Sequence, residues 1–133
     1  MLRGHHVLVV EDEPLIALDL EQALSAAGAL GGIANTVAGA LEAAAAPAYT
    51  AAIIDLRLHG HSVRDVVERI AARDLPFIFY TGQTETPTAA AWPSVPILLK
   101  PLPAKEVVDM LARVVSAKGG RVSRQEERPG TRS

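Results

Sequence analysis

Four short apolar runs punctuate the chain, and each ends at a polar residue. Val7-Leu8-Val9-Val10 precedes Glu11-Asp12, and Ala51-Ala52-Ile53-Ile54 precedes Asp55. Phe77-Ile78-Phe79-Tyr80 precedes Thr81, and Ile97-Leu98-Leu99 precedes Lys100. Continuous runs of this length, without polar alternation, predict strands covered on both faces, as in a parallel sheet. A fifth, weaker strand is predicted over Leu30–Asn35, where glycines dilute the signal. Between the strands the spacing turns helical. Pro14 can open a helix carrying Leu15, Ile16, Leu18, Leu20 and Leu24, with Gly28 as its stop. Thr36 can cap a second helix running to Ala46, and Ser62 a third with Val63, Val66, Val67 and Ile70. Leu56–His61 reads as a loop, and the proline-rich stretch Thr81–Ser94 leaves room for a short or irregular fourth helix. Pro103 can start a last helix bearing Val107, Val108, Leu111, Val114 and Val115, which Lys118-Gly119-Gly120 should end. Five strand–helix alternations predict an α/β fold with a five-stranded parallel sheet and right-handed crossovers.

Composition narrows this picture. At 133 residues the chain is the size of one domain, and its 49% hydrophobic, 4% aromatic content demands an aliphatic, alanine-rich core. The formal charge of −2 divides into −5 over residues 1–117 and +3 over 118–133. The domain is therefore expected over 1–117, and 118–133 as a basic, disordered tail. The absence of cysteine excludes disulfides and thiolate chemistry. No segment approaches the ~20 apolar residues of a membrane span. Met1-Leu2-Arg3-Gly4-His5-His6 lacks a signal-peptide pattern, so the expectation is a soluble, cytoplasmic protein without membrane or DNA contacts.

In an open parallel sheet the carboxyl ends of the strands converge on one crevice, where such folds bind ligands. Glu11, Asp12 and Asp55 would meet there as an oxygen-rich pocket of the kind Mg²⁺ prefers. Thr81 would add a hydroxyl and Lys100 a fixed positive charge. Alone, each piece is weak: acids after a strand are commonly solvated helix-start residues, and a Lys-Pro pair commonly opens a loop. Their joint appearance at four strand ends carries the inference.

The motifs Val9-Val10-Glu11-Asp12-Glu13-Pro14, Asp55-Leu56-Arg57-Leu58, Tyr80-Thr81-Gly82 and Lys100-Pro101 together resemble the receiver domain of two-component response regulators, over about residues 5–117. The resemblance implies a flavodoxin-like three-layer sandwich with strand order 2-1-3-4-5. It implies that Asp55 accepts a phosphoryl group from a sensor histidine kinase or phosphotransfer protein. Mg²⁺ would be held by Glu11, Asp12, Asp55 and the backbone carbonyl of Arg57, with Thr81 and Lys100 contacting the phosphoryl group. The domain would be a phosphoacceptor, not an enzyme with a separate substrate, and would switch protein–protein contacts in a phosphorelay as a monomer or weak homodimer. Phe79-Tyr80-Thr81-Gly82 resembles a narrower Phe-x-Thr-Gly subgroup found with HWE-type kinases.

Two departures accompany the resemblance. Ile97 stands where the family usually carries a switch aromatic, so the coupled rotation of Thr and aromatic is not expected. The 18 residues between Thr81 and Lys100 include Pro87, Pro93 and Pro96. Arg57 is either a solvated loop residue or a guanidinium over the phosphoryl group, and Gln83 lies where it could influence water access. His5, His6, His59 and His61 match no usual zinc spacing. Trp92 reads as core packing or as an exposed partner contact. A haloacid-dehalogenase-type phosphohydrolase would need a second Asp two residues after the first, where Arg57 stands. A receiver that binds partners without being phosphorylated remains the other alternative.

Overall fold

The computed structural model describes residues 2–127, with side chains described for residues 2–118. In chain order the elements are β1 (His6–Val10), α1 (Pro14–Ala26), β2 (Leu30–Ala34), α2 (Val37–Ala44), β3 (Ala51–Ile54), β4 (Arg57–Leu58), β5 (His61–Ser62), α3 (Arg64–Ala72), β6 (Phe77–Thr81), α4 (Pro87–Ala91), β7 (Ile97–Leu99) and α5 (Ala104–Glu127). The main sheet is wholly parallel, in the order β2-β1-β3-β6-β7. Leaving out the β4–β5 ribbon, that order is 2-1-3-4-5, the flavodoxin-like arrangement predicted above.

The alternating side-chain direction of a strand sorts the apolar runs into two cores. Leu8, Val10, Ala52, Ile54, Phe77 and Phe79 face one side and pack with α2 and α3 through Ala40, Ala44, Val66, Val67 and Ile70. Val7, Val9, Ala51, Ile53, Ile78 and Tyr80 face the other and pack with α1 and α5 through Leu20, Leu24, Val107, Val108 and Leu111. Burial on both faces is why the central strands read as unbroken hydrophobic runs. On α1, Leu15 and Leu18 are exposed, at 77% and 45%. The buried stripe is Ala17, Leu20 and Leu24, narrower than the leucine pattern suggests.

β2 forms in full despite its glycines. Gly32 has a packing reason: a Cβ there would overlap the Tyr49 hydroxyl, which lies across the strand. The Thr36 cap forms as predicted, its hydroxyl accepting the Gly39 N–H at 3.0 Å. α4 is short, five residues, again as predicted, and Thr86 caps it.

Three local expectations are corrected. The loop predicted over Leu56–His61 contains an antiparallel ribbon, Arg57 opposite Ser62 and Leu58 opposite His61. Ser62 consequently belongs to β5. Its hydroxyl accepts the Arg64 N–H at 3.2 Å, but Val63 holds the N-cap position of α3, without a side-chain cap. Finally, α5 continues through Gly119-Gly120 to Glu127. Glycine costs a helix about 1 kcal/mol relative to alanine without obliging it to stop. The rest of the predicted tail, 128–133, lies outside the described residues.

Candidate functional site

The sheet delivers its polar residues to one edge. Backbone bonds extend the strand pairing one step past β1 and β3: the Glu11 N–H donates to the Ala34 carbonyl (3.1 Å) and the Asp55 N–H to the Val10 carbonyl (2.9 Å). Glu11 and Asp55 are thereby held at adjacent strand ends and are nearly buried, at 2% and 7% exposure. On the other side, the Lys100 N–H donates to the Thr81 carbonyl (2.8 Å), tying the ends of β6 and β7 together.

Lys100 organises the carboxylates. Its ammonium donates to Asp55 Oδ2 at 2.8 Å and lies 2.9 Å from Glu11 Oε1 and 3.1 Å from Glu11 Oε2. Glu13 Oε2, at the rim, is 3.4 Å away. The second Asp55 oxygen, Oδ1, accepts the Arg57 N–H at 3.3 Å, and Glu11 Oε2 accepts the Glu13 N–H at 3.1 Å. Asp12 is held separately: its Oδ2 accepts the His59 N–H at 2.7 Å, with the His59 imidazole Nδ1 3.6 Å away.

Glu11, Asp12 and Asp55 each offer a carboxylate oxygen, and these oxygens all lie within 4.8 Å of one another. Three acids drawn together against one ammonium leave the pocket short of positive charge. The electrostatics register this. Burial pushes the Glu11 carboxyl up to about 7, outweighing the opposing pull of Lys100 and the Glu13 N–H. Burial acts against Lys100 as well, but its hydrogen bonds to Asp55 and Glu11 prevail and raise it above the ordinary lysine range. For Asp12 the burial effect, which is upward, yields to the His59 N–H, and the carboxyl sits below its usual value. A hard divalent cation satisfies such an oxygen set, and the donor chemistry fits Mg²⁺.

Thr81 is buried, and its hydroxyl accepts the Gln83 N–H at 3.2 Å, a local turn at the end of β6. Arg57 reaches Asp55 through its backbone N–H, while its side chain is exposed. Ile97, partly buried, packs on the α2–α3 side of the sheet. Trp92 is half-buried against that same core, with the Arg64 guanidinium 5.5 Å above its ring. Sequence reasoning therefore found the strand-end residues and missed three supporting ones. Glu13 joins the lysine's carboxylate cage, and His59 grips Asp12. The Tyr80 hydroxyl donates to the Leu102 carbonyl (3.1 Å) and accepts the Leu102 N–H (2.9 Å), fastening the loop after Lys100. Glu13 and Tyr80 lay within recognised motifs, whereas His59 acts through its backbone N–H on a carboxylate 47 residues away.

No family model and no curated protein matches the chain. Solved structures do. SdrG from Sphingomonas melonis Fr1 is 38% identical, with a TM-score of 0.73 over 84% of this chain and 96% of that one. The response regulator receiver domain of PhyR from Erythrobacter litoralis is 30% identical, with a TM-score of 0.73 over 85% of this chain and 91% of that one. The receiver domain of a Pseudomonas aeruginosa PAO1 sensor histidine kinase, with a magnesium ion coordinated in its active-site cleft, is 23% identical. Its TM-score is 0.70, over 85% of this chain and 98% of that one.

Proposed function

The chain belongs to the receiver domains of response regulators, and from that membership we propose that Asp55 accepts a phosphoryl group in a phosphorelay. The donor is a phosphohistidine on a sensor histidine kinase or a phosphotransfer protein. The observation that carries the reading is the convergence of Glu11, Asp12 and Asp55 oxygens within 4.8 Å, with the Lys100 ammonium 2.8 Å from Asp55 Oδ2. The magnesium in the Pseudomonas relative's cleft supports the same ion here, with Glu11, Asp12, Asp55 and the Arg57 backbone carbonyl as its protein ligands.

In this mechanism an Asp55 carboxylate oxygen attacks the phosphorus in line. A new O–P bond forms as the N–P bond to the donor histidine breaks, and the imidazole leaves with the bonding pair. Mg²⁺ held by Glu11, Asp12 and Asp55 would supply positive charge to offset the negative charge gathering on the phosphoryl oxygens. Lys100 turns from Asp55 Oδ2 toward a phosphoryl oxygen, and the Thr81 hydroxyl donates to another. Hydrolysis of the acyl phosphate by water returns the domain to its starting state. Phosphorylation, with Thr81 moving to bond the phosphoryl group, biases the surface around β6 and α5 toward a second conformation that partners read. Ile97 stands in the place of the switch aromatic, so a coupled rotation of Thr81 and an aromatic ring is not the route. The Phe79-Tyr80-Thr81-Gly82 signature points to an HWE-type kinase as the donor. Among the described residues no helix is long and apolar enough to cross a membrane.

The test is phosphoryl uptake from acetyl phosphate or a phosphorylated kinase, with Mg²⁺, read by intact mass and acid-lability. Wild-type protein should take up one phosphoryl group, and Asp55→Asn or removal of Mg²⁺ with EDTA should abolish uptake. Unmodified wild-type protein, or uptake that survives Asp55→Asn, would overturn the reading.

A further inference from the structure

The turn joining β4 to β5 lies against the proposed metal ligands. His59 and Gly60 both have positive φ, 49° and 80°, and are flanked by antiparallel pairs. Two successive left-handed residues between paired strands form a type I′ hairpin, in which Asn-Gly is the favoured sequence. Glycine suits the second place. A non-glycine residue at positive φ is uncommon and needs a reason. Here the turn brings the His59 amide to Asp12 Oδ2 at 2.7 Å, across 47 residues of sequence. The root of the hairpin is fixed, since Leu56 and Leu58 are buried in the core at 2% and 0% exposure. The amide is therefore aimed by a rigid base.

The three acids are also oriented by different hands. Lys100 bonds Glu11 and Asp55 directly. Asp12 takes its short bond from the hairpin. We propose that the His59–Gly60 turn is a positioning element for the divalent-cation site, its amide holding Asp12 Oδ2 so that the other carboxylate oxygen is presented to the ion. This rests on the Mg²⁺ reading above and adds that the affinity of the site is set in part by hairpin backbone geometry. Hydrogen-bond partners of metal-ligating carboxylates characteristically govern metal affinity by about 10–100-fold.

Gly60 offers a clean handle. A Cβ at that position meets nothing within 4 Å, so Gly60→Ala perturbs the backbone conformation and not the packing. His59→Asn removes the imidazole but keeps the amide and suits the left-handed turn. Titration with Mg²⁺ alone, followed by calorimetry, should show about tenfold weaker binding for Gly60→Ala. His59→Asn, which removes the imidazole 3.6 Å from Asp12 Oδ2 but keeps the amide, should lose less affinity than Gly60→Ala. In the metal-free protein, Asp12→Asn should shift the His59 amide proton upfield, as a charge-assisted bond becomes a neutral one. Wild-type affinity in Gly60→Ala, or a loss in His59→Asn at least as large as in Gly60→Ala, would overturn the proposal while leaving the phosphoacceptor reading intact. A wild-type protein that binds no Mg²⁺ would overturn both.

Discussion

Lys100 plays two opposing parts at the level of single residues. It neutralises Glu11 and Asp55 when the pocket holds no ion, and its ammonium stands where a divalent cation must approach the same oxygens. Two positive charges a few ångströms apart repel by at least about 1 kcal/mol even with strong protein screening. Replacing the lysine should therefore separate metal binding from chemistry. Lys100→Met is expected to bind Mg²⁺ several-fold more tightly at about pH 8 and to accept phosphoryl groups from acetyl phosphate at least about 100-fold more slowly. Calorimetry and initial phosphorylation rates check the two halves independently. Weaker Mg²⁺ binding would mean that the lysine orients the acids more than it repels the ion. The residues involved were legible because a polar side chain at the end of an apolar run has one place to go in a parallel sheet. His59 was not legible, because it acts through its backbone N–H, which carries no residue-type signature.

Among the elements, α2 shows what the sequence conceals. Its N-terminus was readable, since Thr36 and Gly39 are three residues apart and a capping hydroxyl needs no distant partner. Its C-terminus has no basic residue in the last turn. The carbonyls there are met instead by Arg73, at the C-cap of α3. One guanidinium nitrogen donates to the carbonyls of Ala44 (2.7 Å) and Ala46 (3.0 Å), and the other to Tyr49 (3.2 Å). This cation at a helix C-terminus satisfies orphan carbonyls, opposes the helix dipole, and fixes the chain entering β3, the strand that ends at Asp55. Arg73→Ala should lower stability by about 2–3 kcal/mol. Thr36→Ala should cost about 1 kcal/mol. Arg73→Lys should recover part of the loss, because a single ammonium lacks the planar fork that spans three carbonyls. Urea denaturation checks the series, with an unchanged m-value confirming an effect on the native state. The β4–β5 ribbon was hidden for a related reason. Strands of two residues have too little period to detect, and the turn places a histidine where asparagine would have announced it.

For the molecule as a whole, the site makes stability fall as pH rises without metal, a fall that bound metal offsets. Among the shifted groups, only Glu11 titrates between about pH 5 and 8. Asp12 is lowered, so its contribution is present above its ordinary value of 3.8 and is lost only in stronger acid. Lys100 is raised from 10.5, so its contribution is complete throughout this range and is lost only in strong base. Glu11 is raised from 4.5 to about 7. The folded protein then holds a proton that the unfolded chain has released, and the associated stability is full below about 4.5 and is lost as pH rises through about 7. Without metal, the protein should lose roughly 2 kcal/mol between about pH 5 and 8, several degrees in Tm. Glu11→Gln should flatten that slope. Mg²⁺ acts the other way, because it competes with the Glu11 proton, so its affinity and the stabilisation it confers by mass action grow as pH rises. Melting curves in EDTA and in saturating Mg²⁺ should therefore diverge with increasing pH and converge near pH 5. Parallel curves across that range would show that Glu11 is not the group whose proton the metal displaces.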